Sequence, residues 1–212
     1  MAKLAEGLIE HEGVPRCWWC DADDDYRHYH DHEWGFPVAD DHRLFEKISL
    51  EGFQSGLSWL TILRKRDNFR RAFADFDFHA IARWRANSRI EKLLQDPGIV
   101  RHRGKIEATL HNAKQAVALA DEFGSLAAYV WRFEPEPRSR PKRMTKAALG
   151  QLGRTPESLA LAKDLKRRGF KFFGPTTAYA FMQAMGLVND HLEGCAARAR
   201  VSKARAAFRA PG

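Results

Sequence analysis

The chain has 212 residues, 44% hydrophobic and 29% charged, with a net charge of +8. These are globular values for one domain, or one domain with a small lobe, long enough to bury a core. No apolar run reaches the ~18 residues of a membrane-spanning helix, and the N-terminus lacks the apolar stretch of a signal peptide, so no membrane association and a soluble, cytoplasmic monomer are expected.

Three cysteines, an odd count, indicate no disulfide framework. The charge is unevenly spread. Asp21 to Asp41 holds eight acidic residues against one arginine, and Arg138 to Lys171 holds eleven basic residues against two acids. Such a separation suits a docked phosphate backbone, although two solvated faces of opposite sign account for it equally well.

Residues 1–15 read as an N-terminal tail with a few helical turns at most. Arg16 to Gly35 packs three tryptophans, two tyrosines, three histidines and two cysteines into twenty residues. Its acidic run breaks any apolar period, so a loop-rich cap is expected there. Asp40 or Asp41 is placed to cap a helical pattern from about His42 to Arg66. Phe45, Ile48, Gly52, Gly56, Trp59 and Leu63 recur at helical steps on one face of it. Each glycine costs a helix about 1 kcal/mol against alanine, and the pair leaves room for a close approach. Glu51, Ser55 and Ser58 border that face, so a carboxylate and an indole can share a cavity wall. An ordinary amphipathic helix with a solvated Glu51 is the competing account.

Further helices are expected over Phe69 to Phe76, from Phe78 to Trp84, and over Arg89 to Gln95, which stops at the turn Asp96-Pro97-Gly98. Lys105 to Phe123 is a long helix with Ile106, Leu110, Ala113, Val117 and Ala120 on one face, and Leu126 to Phe133 follows it. Phe133 to Arg143 is too rich in proline and charge to pack and reads as an exposed loop. Helices are expected again over Thr155 to Arg168 and Pro175 to Met185. Residues 196–212 form an Ala- and Arg-rich basic tail that reads as frayed. No strand and no internal repeat is evident, so the fold class is all-α.

Two constellations carry chemistry. In Leu165 to Met185, Gly169 suits a left-handed helix cap, Gly174 allows a close approach, and Thr176 and Thr177 open a helix whose free N–H groups suit a phosphate. Lys166, Arg167, Arg168 and Lys171 add charge beside it. A plain surface hairpin of two helices is the alternative. The layout resembles the helix-hairpin-helix element of DNA repair glycosylases, whose phosphate contacts position a protein without reading sequence. The second constellation joins His191 and Cys195, four apart and so on one helical turn, to Cys17 and His30 upstream. Together they make a Cys2His2 set suited to structural tetrahedral zinc that ties the chain ends. Cys20 stands close enough to Cys17 to compete with His30.

Taken together, several strings resemble the DNA-3-methyladenine glycosylase I (Tag) family. They are Arg16-Cys17, Tyr29-His30-Asp31, Glu33-Trp34-Gly35, Glu51-Gly52 with Gln54, Gly56-Leu57-Ser58-Trp59, Gly98-Ile99 with Arg101 to Ile106, Lys166 to Phe172, and Leu187 to His191. They run in family order across residues 16–195. The resemblance implies an all-α helix-hairpin-helix DNA glycosylase domain over 16–195, with one zinc ion joining its ends. It implies zinc ligands at Cys17, His30, His191 and Cys195. It implies a base-pocket carboxylate at Glu51, in the catalytic role, and a base-binding aromatic pocket of Trp19, Tyr26, Tyr29, Trp34 and Trp59. The activity implied is release of free 3-methyladenine from alkylated double-stranded DNA.

N3-methylation leaves adenine cationic, and stacked aromatic rings attract a cation. The base must first leave the duplex, and Leu57 is a candidate DNA-binding wedge for the gap, with a core position as its other reading. DNA-backbone contacts are expected from Lys166, Arg168, Lys171, Gly174, Thr176 and Thr177. Asp190 is read as structural or as a support of the metal site, rather than as catalytic. With no Schiff-base lysine evident, the enzyme is expected to be monofunctional. The competing class is a zinc-stapled DNA-binding module without chemistry. A catalytic zinc hydrolase is disfavoured because four protein ligands leave no open position.

Overall fold

The computed structural model describes residues 4–212; Met1 to Lys3, part of the expected tail, lie outside them. The fold is helical as expected, with one small exception. Strands β1 (Leu8–His11) and β2 (Val14–Cys17) form an antiparallel hairpin in the register Leu8 with Cys17 and His11 with Val14. The two-residue turn between them, Glu12-Gly13, has positive φ at both positions, 54° and 73°. Such a turn matches the twist of paired strands. Helix α1 (Asp24–His32) lies where a loop-rich cap was expected. The acidic run starts this helix rather than breaking one. Asp23 accepts a hydrogen bond from the Tyr26 N–H at 2.9 Å. Asp24 and Asp25 then sit at the positive end of the helix dipole.

The single helix expected from His42 to Arg66 is two, α2 (Asp41–Gln54) and α3 (Trp59–Ala72). Asp40 caps α2. Asp41 instead accepts from the N–H groups of Leu126 and Ala127, capping α7 (Leu126–Trp131) and fixing it to the start of α2. Gly56, at φ 81°, turns the chain between α2 and α3, and Ser58 caps α3 by accepting from Thr61. Gly56 and Ser58 are therefore punctuation, and only Gly52 stays on the helix face. An added Cβ at Gly52 would lie 3.5 Å from Phe172, so its missing side chain admits a loop of the protein itself.

The aromatic helix expected over Phe69 to Phe76 is the end of α3 followed by a tight turn in which Ala74, Asp75 and Phe76 all have positive φ. The rings of Phe53, Phe69, Phe73 and Phe76 pack within the core there. Helices α4 (Phe78–Ala82) and α5 (Ala86–Leu94) precede the long α6 (Arg103–Phe123). Helix α6 buries Ile106, Leu110, Ala113, Ala116 and Leu119 against α2, α4, α5 and α7. After the short α8 (Lys146–Gly150), helices α9 (Pro156–Arg167) and α10 (Pro175–Ala184) form the expected hairpin. Helix α9 ends in a Schellman cap: the Phe170 N–H donates to Leu165 O and the Gly169 N–H to Lys166 O.

The expected frayed tail is instead α11 (Ala196–Ala207). It buries Ala197 and Val201, and Phe208 beyond it stacks on Trp131 at 4.4 Å between centroids. The loop after Phe133 also packs further than its composition predicts, because Arg140 pairs with the buried Asp190. Among the described residues no helix is long and apolar enough to cross a membrane.

Gly186 sits at φ 77°, where an added Cβ would lie 2.4 Å from the Phe36 backbone. Gly186→Ala is therefore expected to cost at least about 2 kcal/mol in urea unfolding, through strain and backbone clash together.

Candidate active site and metal centre

One cavity of about 510 Å³ opens between the aromatic segment, α2, α3, α8 and α10. That volume lies in the range of small-ligand sites. All five aromatic residues expected for base binding line it: Trp19, Tyr26, Tyr29, Trp34 and Trp59. Trp19 meets Tyr26 at 5.2 Å and Trp34 at 4.9 Å, and Tyr29 meets Trp59 at 5.4 Å. Glu51 reaches the same cavity from the last turns of α2 and is 6% exposed. It is not the solvated residue of a simple amphipathic helix.

Lys47 went unnoticed in the sequence. It stands one turn before Glu51, and its Nζ lies 2.7 Å from Glu51 Oε1. The spacing of four was the available signal. The same ammonium lies 3.2 Å from the centroid of the Trp59 ring and donates to the Tyr29 hydroxyl at 3.3 Å. Burial pushes the Lys47 pKa below the usual lysine value, while Glu51 pulls the other way. Burial likewise pushes Tyr29 well above the ordinary phenol, with Glu51 adding to it. Gln54, Tyr179 and Gln183 complete the polar part of the lining.

Of the two readings of Asp190, the geometry fits the structural one and not support of the Cys/His cluster. Its carboxylate turns the other way. It accepts from the Tyr179 hydroxyl at 2.5 Å, from Gln183 Nε2 at 2.8 Å and from Arg140. It therefore fixes two side chains of the cavity wall and has no free oxygen aimed at a sugar.

Cys17, His30, His191 and Cys195 come together, all buried, with their donor atoms within 4.8 Å of one another. The cluster can hold a metal ion. Cys20 is not part of it; its thiol donates to Cys17 O at 3.1 Å, and burial pushes its pKa up to about 12. His191 and Cys195 meet across a turn rather than along a helix, with the Cys195 N–H donating to Leu192 O. His30 Nδ1 is 2.7 Å from Asp31 Oδ1, and Arg16 holds that carboxylate from its other side. His191 Nε2 is 2.9 Å from Trp34 O. Each ring thus presents its other nitrogen to the cluster. The hydrogen bond from Cys17 favours the Cys195 thiolate, and the same bond, with burial, pushes Cys17 up. The cluster also abuts the cavity: Trp19 packs on His30 at 5.0 Å and Trp34 on His191 at 4.7 Å.

Leu57, in the turn between α2 and α3, is 41% exposed and so is not a core residue. Lys105 supports this turn by donating to Phe53 O at 2.8 Å and Ser55 O at 2.5 Å, satisfying carbonyls at the end of α2. In the α9–α10 hairpin, Lys166, Lys171, Gly174 and Thr176 are exposed and Thr177 is half-buried. Helix α10 has no side-chain cap. Asn112 holds the loop to α6 through both backbone groups of Lys171. Arg168 departs from the expected phosphate-facing set. It makes a two-pronged pair with Glu122 and a further bond to Asp164, so its guanidinium is committed to the fold. Burial alone would raise Asp164, but its bonds from Arg167, Arg168 and Tyr129 hold it at about 2.

Residues 19–199 match the model of the methyladenine glycosylase family. DNA-3-methyladenine glycosylase 1 of Escherichia coli (strain K12) is 45% identical over 183 residues, which cover 86% of this chain and 96% of that protein. DNA-3-methyladenine glycosylase of Haemophilus influenzae is 44% identical over 189 residues, covering 85% of this chain and 96% of its own. A crystal structure of 3-methyladenine DNA glycosylase I superposes with a TM-score of 0.77 at 47% identity, over 85% of this chain and 98% of the other. A tyrosine-to-phenylalanine variant of such an enzyme, solved in complex with 3-methyladenine, gives a TM-score of 0.77 at 34% identity, over 85% and 95%. The matched span takes in the aromatic cavity, its carboxylate and the hairpin together, and the chain belongs to the methyladenine glycosylase family.

Proposed function

We propose that the protein flips 3-methyladenine out of alkylated double-stranded DNA and releases it by hydrolysis of its bond to deoxyribose, without cutting the strand. The observation that carries this reading is a carboxylate, Glu51, buried in the wall of an aromatic cavity large enough for one base. Alkylation at N3 puts a positive charge on adenine and weakens its glycosidic bond. The aromatic faces attract that charge, and Glu51 is the carboxylate available to pair with the exocyclic amine or a ring N–H. Selective binding of the flipped base then supplies more than proton donation would. Water attacks the sugar carbon as the base departs neutral.

In the helix-hairpin-helix reading of α9 and α10, the free N–H groups of Thr176 and Thr177, with Gly174, Lys166 and Lys171, grip the phosphate backbone. Arg168 is left out of this set by its ion pairs. The exposure of Leu57 supports its role as the wedge that fills the vacated stack. The Lys47 amine is held by Glu51 and Tyr29, which supports a monofunctional enzyme without a Schiff base. A zinc-stapled DNA-binding module would need neither a buried carboxylate nor the cavity around it. The reading includes a monomer working in the cytoplasm.

The cluster fits one structural zinc ion. Tetrahedral bonds of about 2.3 Å to sulfur and about 2.0 Å to nitrogen set donor separations of roughly 3.3–3.8 Å. Four of the six separations are 3.1 Å between His191 Nδ1 and His30 Nε2, 3.5 Å from Cys195 to each histidine, and 3.9 Å from Cys17 to His191, and all six are within 4.8 Å. Four protein donors leave no open position, so zinc here supplies structure: Cys17, His30, His191 and Cys195 hold it and it ties the chain ends.

Wild type should release 3-methyladenine from methylated duplex DNA. Glu51→Ala should lower that release by about 10²-fold or more, with affinity for undamaged duplex unchanged within about twofold. Equal loss of duplex affinity would make Glu51 a structural residue, and no release by a folded wild type would favour the binding module. Elemental analysis should find one zinc per chain. Cys195→Ala should lose it, with a drop of several kcal/mol in stability; unchanged metal content would remove Cys195 from the ligand set.

A further inference from the structure

Lys47 places a cation inside a pocket that has to accept another. Its ammonium touches the Trp59 face, with no room for a ring between them, and engages Glu51 directly. The indole face and the carboxylate that a cationic base would use are thus both already taken by a charge of the protein.

The groups around Lys47 leave it no other role as counter-ion. On α2, Glu46 is paired with Arg70 of α3 at 2.9 Å. Below α1, Glu33 is paired with Arg66 of α3 at 2.6 Å and faces Arg43 of α2 at 3.6 Å. Tyr29 and Tyr26 of α1 face the site as neutral phenols, raised by burial. Tyr179 of α10 is tied to Asp190. Lys146 of α8 lines the same cavity, beside Trp18 and Glu6. Among the described residues, Glu51 is the carboxylate in direct contact with Lys47. Two unit positive charges at stacking distance in a buried site repel strongly. The Lys47 side chain is 7% exposed and enclosed by Tyr29 and Trp59, so it cannot carry its charge out to solvent, and to yield the indole face it has to swing aside as the neutral amine. Burial already favours its neutral amine.

We propose that Lys47 is the residue that sets the charge specificity of the pocket: a cationic base takes the seat over Trp59 and beside Glu51 as the Lys47 ammonium gives up a proton to solvent. A neutral base cannot replace that charge beside Glu51 and is refused. When the glycosidic bond breaks, its electron pair goes to the base and cancels the positive charge. Water bonds to the sugar carbon and loses a proton to solvent. The base is then neutral, and Lys47 takes a proton back, recovers its seat and promotes product release. This rests on the cavity being the base site.

The test is KM for release of 3-methyladenine from methylated duplex, between about pH 6 and 9. Each value is divided by the Ki of undamaged duplex, to remove titration of the DNA grip. For wild type the ratio should fall about tenfold per pH unit below the Lys47 pKa. Lys47→Met keeps the length without the charge, and its ratio should be flat and low. Lys47→Arg keeps a charge that does not titrate in this range, and its ratio should be flat and roughly tenfold or more above that of Lys47→Met. If Lys47 merely braces Glu51, Arg will restore binding better than Met; that order overturns the proposal. So does a flat wild-type ratio, which decides the matter even if neither variant folds. Borohydride should trap no covalent adduct, and an adduct lost in Lys47→Met would make Lys47 a nucleophile instead. Absence of any base release by wild type would undo the assignment of the pocket itself, a separate failure.

Discussion

The arrangement depends first on the meeting of the two chain ends at Cys17, His30, His191 and Cys195. Two of these residues precede the main helical body and two follow it, so the contact closes the chain over nearly its whole length. Closing a long loop carries a large entropic cost that few surface contacts would offset. The aromatic cavity inherits the constraint directly, since Trp19 and Trp34 rest edge-on against the two histidines. The aromatic wall is thus braced by the cluster behind it as well as by α1, which carries Tyr26 and Tyr29.

A second constraint is electrostatic. The charged groups of the cavity lining are Glu51, Lys47 and Lys146, and those packed behind it are settled in pairs: Glu33 with Arg66, Glu46 with Arg70, Asp190 with Arg140. These pairs are partly or wholly buried, where an unpaired charge is costly. Lys146 lies beside Trp18 and Glu6, which leaves Glu51 and Lys47 as the carboxylate and ammonium in direct contact within the aromatic lining. In the proposal above, charge selection would rest on that pair.

The helical frame was legible because its punctuation is local. Pro156, Gly169, Gly174 and Pro175 mark the hairpin at the positions where the structure bends. The members of the Cys2His2 cluster were legible from residue type and spacing. The misses have physical reasons. The Glu12-Gly13 turn lacks the usual asparagine or aspartate signal, so the strand pair beside it read as a tail. The acidic start of α1 read as a breaker although acids suit a helix N-terminus. Helix α11 buries little more than Ala197 and Val201, too thin a stripe for periodicity to register. The break in the long helix was hidden because Gly56 and Ser58 happen to fall at helical steps. Arg168 looked free because nothing near it in the chain announces Glu122, which is 46 residues away.

That break between α2 and α3 gives the molecule a fixed elbow. Lys105 locks it from below by holding the carbonyls of Phe53 and Ser55, and Ser58 locks the far side. Leu57 projects from the tip of the elbow and Glu51 from the shaft just before it, so the proposed wedge and the carboxylate belong to one stiff lever. If Leu57 is the wedge, insertion at the tip would set the depth at which an extruded base meets the carboxylate. Opening the stack and judging its contents would then be a single mechanical motion, with no linker between them to lose alignment.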